Sequence, residues 1–240
     1  MNNLLFVAFN RPDLTQKSLS QLLKLPWDNI DVYIDGPRNE RDVPAVLATA
    51  TAVRELTLDI PNVHITERTE NWGCRRNVSA AITSFFSKYQ RGWVFEDDIL
   101  IHDLEGFLAL QKSWSLPGHL ALYDIKAEDP NQPSSSNGHF PIWGWYLSHG
   151  TVPQFTNHSL GRVLIAAISQ RGLLGGLRFG LVYLKTILGL LDTWDSLYTA
   201  WCLTNKIPCY TASQQTVTNI GFDERATHTK KAPKNQRILE

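Results

Sequence analysis

Short apolar runs that stop at polar clusters constrain this chain more than any other feature of it. Leu4-Leu5-Phe6-Val7-Ala8-Phe9 shows no polar alternation and ends at Asn10-Arg11-Pro12-Asp13. A strand that is apolar on both faces is covered on both faces, as in a parallel sheet between helices. A helix follows, with Leu14, Leu19, Leu22 and Leu23 on one side, and ends before Pro26. Asp31-Val32-Tyr33-Ile34 is a second strand, stopped by Asp35-Gly36-Pro37-Arg38. Strand, helix and strand over about 30 residues make a βαβ unit, right-handed by default.

The alternation continues. A helix over 43–56, a strand over 62–66 and a helix over 75–88 lead to Trp93-Val94-Phe95, which runs directly into Glu96-Asp97-Asp98. The expected fold class is therefore α/β, a Rossmann-like and mostly parallel sheet flanked by helices. Ligands of open α/β sheets bind outside the carboxyl ends of the strands. Asn10 and Arg11, Asp35, and Glu96-Asp97-Asp98 are all expected on that rim. Beyond residue 100 the pattern is less regular. Residues 129–138 read as a loop over the site, 141–148 are strongly aromatic, 192–201 have helical character, and 226–240 are polar, basic and expected to fray.

Length and charge exclude several classes. A chain of 240 residues with 43% hydrophobic content fits one large α/β domain. Formal net charge is zero, so nothing global favours a nucleic-acid partner. The cysteines, Cys74, Cys202 and Cys209, are odd in number and lack CxxC spacing, which argues against a disulfide framework or a zinc site and for a reducing cytoplasm. The first residues lack the basic start and long apolar stretch of a signal peptide. No apolar run reaches the roughly 18 residues of a membrane span.

Adjacent carboxylates repel, so Glu96-Asp97-Asp98 needs compensating positive charge. Strand alternation would point Glu96 and Asp98 one way and Asp97 the other. The triplet is either a solvated acidic turn or a site for a hard cation such as Mg²⁺ or Mn²⁺, which needs few protein carboxylates when phosphates fill other positions. Asp35 sits either in a plain turn or where it accepts hydrogen bonds from a nucleobase or ribose. Arg11 either pairs locally or reaches a phosphate. Gly73-Cys74-Arg75-Arg76 opens a helix, which is either an anion site of free N–H groups and two guanidiniums or a merely solvated start. Trp143-Gly144-Trp145 offers flat faces for a sugar ring, or core. His228 is either a late metal or phosphate contact or a surface histidine.

The succession FNRPD, DGPR, NWGCRRNVSAAI, FEDDIL, PIWGW, TWDSLYTAW and TNIGFDERATHT resembles bacterial nucleotide-diphospho-sugar transferases of the GT-A fold. These are similar in turn to the N-acetylglucosaminyltransferase that begins complex N-glycans. The resemblance covers about residues 4–110 and 140–230. It implies a nucleotide-sugar donor, with uridine favoured, a divalent metal, usually Mn²⁺, and transfer with inversion to a glycan or lipid-linked acceptor. Residues 1–100 would be the nucleotide-sugar-binding half and 101–240 the acceptor-binding and catalytic half of one domain. By position, Asn10, Arg11 and Asp35 would meet the nucleotide, with Gly73 and Arg75 or Arg76 nearby. Asp97 would contact ribose or sugar, with Glu96 also among the donor-binding residues, Asp98 would ligate the metal, and Trp143, Gly144 and Trp145 would wall the sugar pocket. Asp195 falls at the family's general base, but the family has two adjacent acids there and Ser196 follows here, so Asp192 remains a candidate.

Two other classes make different demands on the sequence. A sugar nucleotidyltransferase should carry a glycine-rich loop after its first strand, and Asn10-Arg11-Pro12-Asp13 has no glycine. A non-catalytic nucleotide-sugar or carbohydrate binder would not need the intact acidic triplet or Asp195. One further stretch stands apart. Over 161–191, Arg171, Arg178 and Lys185 recur every seven residues among leucines. This is either a basic amphipathic surface for anionic lipid on the inner face of a membrane, or a helical hairpin bent near Gly172, Gly175 and Gly176 beside the sheet.

Overall fold

The computed structural model describes residues 2–123, 134–135, 138–156, 158–212 and 215–222. Its first strand, β1 (Asn3–Ala8), is buried along its whole length, as an apolar run without alternation requires. Leu4, Phe6 and Ala8 enter one hydrophobic cluster and Leu5 and Val7 the other. Truncating any of these leucines would cost about 2–5 kcal/mol.

Helix α1 (Pro12–Leu22) starts on Pro12, whose missing N–H is no loss in the first turn. It is followed by β2 (Asn29–Ile34), α2 (Val43–Thr57), β3 (Val63–Glu67), α3 (Gly73–Lys88) and β4 (Arg91–Glu96). Strands β3, β2, β1 and β4 lie side by side and parallel, so Arg11, Asp35 and Glu96 stand at neighbouring carboxyl ends. This is the expected mixed α/β architecture, with each expected element of this half present within two residues of its predicted start.

Then the chain departs from simple alternation. A three-residue strand, β5 (Ile99–Ile101), leaves the main sheet and later pairs antiparallel with β10 (Val217–Asn219). Ser18 and Gln21 of α1 satisfy its backbone, Ser18 Oγ donating to the Ile99 carbonyl at 2.6 Å and Gln21 Oε1 accepting from Ile101 N–H at 2.8 Å. After α4 (Leu104–Ser113) come β6 (Gly118–Ala121), β7 (Ser134–Ser135) and β8 (Trp145–Ser148). Helix α5 (Leu160–Ile187), α6 (Asp195–Thr204) and β9 (Cys209–Thr211) precede β10. Strand β8 runs antiparallel between β4 and β6, and β9 lies parallel to β6. The main sheet is thus mostly parallel, in the order β3-β2-β1-β4-β8-β6-β9-β7.

The two sheet faces divide the core. Val94, Trp145 and Leu147 meet α3, α5 and α6, while Trp93, Phe95, Leu120 and Tyr146 meet the α1, α2 and α4 side. Helix α5 is a hairpin rather than one rod, because Gly172 breaks it with φ 73° and ψ 170°. A Cβ on Gly176 would lie 2.6 Å from the Ile168 backbone, and one on Gly180 would lie 2.3 Å from Leu164. The two arms therefore cross where glycine lets them touch.

Candidate functional site

Strand β4 ends at Glu96, and Asp97-Asp98 form a turn, so strand alternation does not extend through the triplet. The same Arg11 nitrogen, Nη2, donates to both Asp97 and Asp98, the latter at 3.1 Å. Part of the positive charge that three carboxylates demand comes from Arg11. Asp97 is the buried member, with Thr15 Oγ1 at 3.5 Å from its second oxygen. Burial, opposed by Arg11, raises its pKa. Burial, then Asp98 and Asp97, push the Glu96 carboxyl well above the usual carboxylate range. Asp98 is the more open of the Arg11 partners, its side chain 17% exposed.

The chain closes over this corner from far away in sequence. Ile220 N–H donates to the Asp98 carbonyl at 2.8 Å, continuing the β5–β10 pairing. A Cβ at Gly221 would lie 2.3 Å from Asp98 Oδ2 and 2.7 Å from Arg11 Nη1, so only glycine permits this approach. Phe222 then packs edge-on against Trp143, 5.5 Å between centroids, and Trp143 stacks at a tilt on Tyr123 at 4.7 Å. Trp143 and Tyr123 line a cavity of about 380 Å³ that also has Phe140, Arg171, Phe179 and Asp195 in its wall. A continuous path of residues therefore joins Asp98 to Asp195.

Asp195 opens α6. Its Oδ1 accepts from Thr193 Oγ1 and, at 2.6 Å, from Ser196 N–H. Asp192 has different work. Its two oxygens accept from Cys74 N–H and Arg75 N–H, both at 3.1 Å, at the start of α3. Asp35 completes that cap, accepting from Trp72 N–H at 2.9 Å and Gly73 N–H at 3.0 Å, together with Gly36 N–H and the Asn71 amide. Burial raises the Asp35 pKa against the pull of these donors. The anion expected at this helix start is thus supplied by the chain's own carboxylates. Gly73 is required there, with φ 76° and a Cβ position 2.9 Å from Asp192 Oδ2.

Other expected residues separate. Arg75 donates to the Thr186 carbonyl at 2.7 Å, tying α3 to the end of the hairpin. Arg76 and Arg68 lie over Trp72 at 4.0 and 3.7 Å from its ring centroid. Asn10 donates to Asp42 at 3.3 Å. Trp145 is core rather than wall, 1% exposed and stacked on His119 and Trp194. Gly144, at φ 62°, lets the chain turn from the cavity residue Trp143 to the core residue Trp145. His228 and most of the 129–138 stretch lie outside the described residues.

Gly221, Phe222, Cys74 and Arg68 carry no role in the sequence reading, although the first three lie within the TNIGFDERATHT and NWGCRRNVSAAI motifs. Gly221 and Phe222 reach the site only because β5 and β10, three residues each, pair. Cys74 lies among Glu96, Asp192, Asp195 and Asp35, and burial followed by these four charges pushes its thiol far up, so it is not a poised nucleophile. Arg68 and Asp35 border a second cavity of about 260 Å³ beside β2 and β3, lined also by Val43, Val46 and Leu47.

A divalent cation fits the donors present on one condition. Among the described residues no cluster of three or more His, Cys, Asp or Glu side chains is arranged to hold a metal. Asp98 supplies one open carboxylate, which suffices for Mg²⁺ or Mn²⁺ only when phosphate and water oxygens complete the shell.

No family model and no curated protein matches the chain. Solved structures similar to it include a mannosyltransferase from Pyrobaculum calidifontis in complex with GDP-Man and Mn²⁺. That likeness has 12% identity, spans 84% of this chain and 69% of that one, and has a TM-score of 0.47. The WbbM bifunctional glycosyltransferase matches at 14% identity over 62% of this chain and 31% of its own, with a TM-score of 0.39. A UDP-glucose pyrophosphorylase complexed with UDP-glucose matches at 10% identity over 86% and 99%, with a TM-score of 0.34. Likeness at this level leaves the reading of the site to its own geometry.

Proposed function

We propose that this chain is a metal-dependent glycosyltransferase, moving a sugar from a nucleoside-diphosphate donor, UDP on the resemblance, to a glycan or lipid-linked acceptor with inversion. The observation that carries this reading is the path from Arg11 and Asp98, at the carboxyl ends of β1 and β4, through Phe222 and Trp143 to a cavity holding Asp195.

Arg11 is positioned to donate to a phosphate oxygen from its Asp97-held orientation, so Asp97 acts through Arg11. The cavity beside Asp35 and Arg68 has the size and apolar lining for a flat base. Asp98 would hold the cation, which supplies charge neutralisation to the leaving diphosphate worth several kcal/mol. Trp143 gives the sugar an aromatic face, and Glu96, at the end of β4, is the carboxyl beside Asp97 and Asp98 that would meet the donor. Asp195 rather than Asp192 takes the acceptor proton: among the described residues the bonds to Asp195 fall on Oδ1 and leave Oδ2 for proton transfer, whereas Asp192 commits both oxygens to α3. A positioned carboxylate accelerates such a step by about 10²–10⁴. Among the described residues lining the cavity Asp195 is the one carboxylate, which supports inversion. The three free thiols support a reducing compartment.

The test is nucleoside diphosphate release from a panel of nucleotide sugars, with Mn²⁺ and then with EDTA. Release from one donor, lost with EDTA and in Asp98→Ala, supports the reading and names the donor. Pyrophosphate-linked synthesis of a nucleotide sugar would replace it with nucleotidyl transfer. Metal-dependent donor binding with no turnover, whatever acceptor is offered, would replace it with a binding function.

A further inference from the structure

The α5 hairpin presents a face that nothing in the described chain covers. On its second arm, at about 100° per residue, Leu177, Leu188, Leu181 and Leu174 follow one another within about 60° around the axis, and Lys185 and Arg178 adjoin them. These leucines are 44–71% exposed. Leu190 and Leu191 extend the apolar surface past the helix end. Apolar residues so grouped and so open mark a contact surface. The hairpin arms themselves are already packed on each other and on α6, so the outward face is not needed for folding.

Charge selects the occupant. From His158 to Leu191 the sequence has Arg162, Arg171, Arg178 and Lys185 and no acidic residue. Arg171 turns inward, donating to the Gly138 carbonyl at 2.6 Å and lying over Phe179, which removes it from the basic face that a seven-residue spacing suggests. Arg162, Arg178 and Lys185 remain exposed. A second copy of this face would bring like charges together. The C-terminal residues 223–240, with five Lys and Arg against three Asp and Glu, carry the same sign. An anionic partner is required, and a line of leucines along an arm of roughly 20 Å suits a plane better than a pocket. No helix among the described residues is long and apolar enough to cross a membrane.

We propose that the second arm of α5 docks this protein on an anionic lipid bilayer, lying in the headgroup plane with its leucines inserted and Arg178 and Lys185 on phosphates. Val182 both lines the 380 Å³ cavity and is 42% exposed next to this face. Docking therefore sets the cavity beside the headgroups. The inference does not depend on the reading of the site, because its test uses no nucleotide sugar.

The experiment is co-sedimentation of the full chain with vesicles of phosphatidylcholine alone and of phosphatidylcholine with phosphatidylglycerol in equal parts, at low and at physiological salt. Binding to the anionic vesicles, weakened by salt, is expected. Arg178→Gln and Lys185→Gln should each weaken it about fivefold. Leu174→Ser with Leu181→Ser should weaken it tenfold or more, with thermal unfolding unchanged because both positions are exposed. No binding to anionic vesicles at low salt overturns the proposal. So does equal binding to neutral vesicles, binding untouched by the leucine substitutions, or a dimer in solution that those substitutions dissociate.

Discussion

Asp35 and Asp97 on one side, and Asp98 and Asp195 on the other, are equally conspicuous in the sequence and behave differently in the fold. Asp35 and Asp97 are buried and bonded to their own chain: Asp35 to four donors at the start of α3, Asp97 to Arg11 and Thr15. Asp98 is partly open, and Asp195 faces a cavity. A carboxylate with both oxygens engaged by its own chain holds architecture, and one with an oxygen to spare is open to a ligand. At the end of β4 the turn thus sets a buried acid bonded to Arg11, Asp97, beside a partly open one, Asp98.

Substitution can break this division. The largest effect is expected from Asp98→Ala: metal-stimulated nucleoside diphosphate release should fall by about 10³ or more, with little change in unfolding temperature. Asp195→Asn should keep donor binding, read by calorimetry, and lose about 10²–10⁴ in turnover. Normal turnover in Asp195→Asn would move the base elsewhere. Asp35→Ala should act chiefly on stability, about 3 kcal/mol in denaturant unfolding, because hydrogen bonds to a charged group are worth about 1.5–3 kcal/mol each and partners are left unpaired. If it unfolds normally and only weakens nucleotide binding, the division at the rim is wrong.

A smaller effect sharpens the contrast in the second half of the molecule. His119 joins β6 to the cavity wall: Nε2–H donates to the Pro141 carbonyl at 2.9 Å, so Nδ1 accepts from the Tyr198 hydroxyl at 3.0 Å. Burial pushes its pKa down to about 3 from an ordinary 6.5. Between those values the unfolded chain binds the proton and the folded one does not, so the stability contribution is intact above pH 6.5 and is lost as pH falls. The slope is about 1.4 kcal/mol per pH unit. Urea unfolding at pH 7 and pH 5 should show the loss in the native chain and a flatter dependence in His119→Gln. The smallest expected effect is Trp143→Ala, about a tenfold rise in KM with turnover less affected, since a stacking wall binds ground and transition states alike.

Much of the first half was legible because its signals are local. Apolar runs without alternation, Pro12 at a helix start and the polar stops after β1, β2 and β4 each act within a few residues. The second half depends on contacts no local pattern carries. Strands β5 and β10 are too short to read, yet their pairing brings Gly221 and Phe222 to Asp98. The glycines of 161–191 do mark the bend, but the positions where the arms cross, Gly176 against Ile168 and Gly180 against Leu164, depend on packing. Trp143 and Trp145 look alike in sequence, and the positive φ of Gly144 sends one to the cavity and the other to the core. The motif puts Asp195 at the expected base and keeps Asp192 as a candidate, and only the fold shows that Asp192 is bonded to the start of α3.

The cap on α3 also bears on how such a chain can be recombined. Two of the N–H groups opening that helix are satisfied by Asp192, more than 110 residues away, and the Arg75 side chain answers with a bond to Thr186. A first half grafted onto a different second half would arrive with an uncapped helix and a stranded guanidinium. Swapping halves therefore requires the incoming segment to carry its own carboxylate at the equivalent of 192, which makes that position a checkpoint for chimeras.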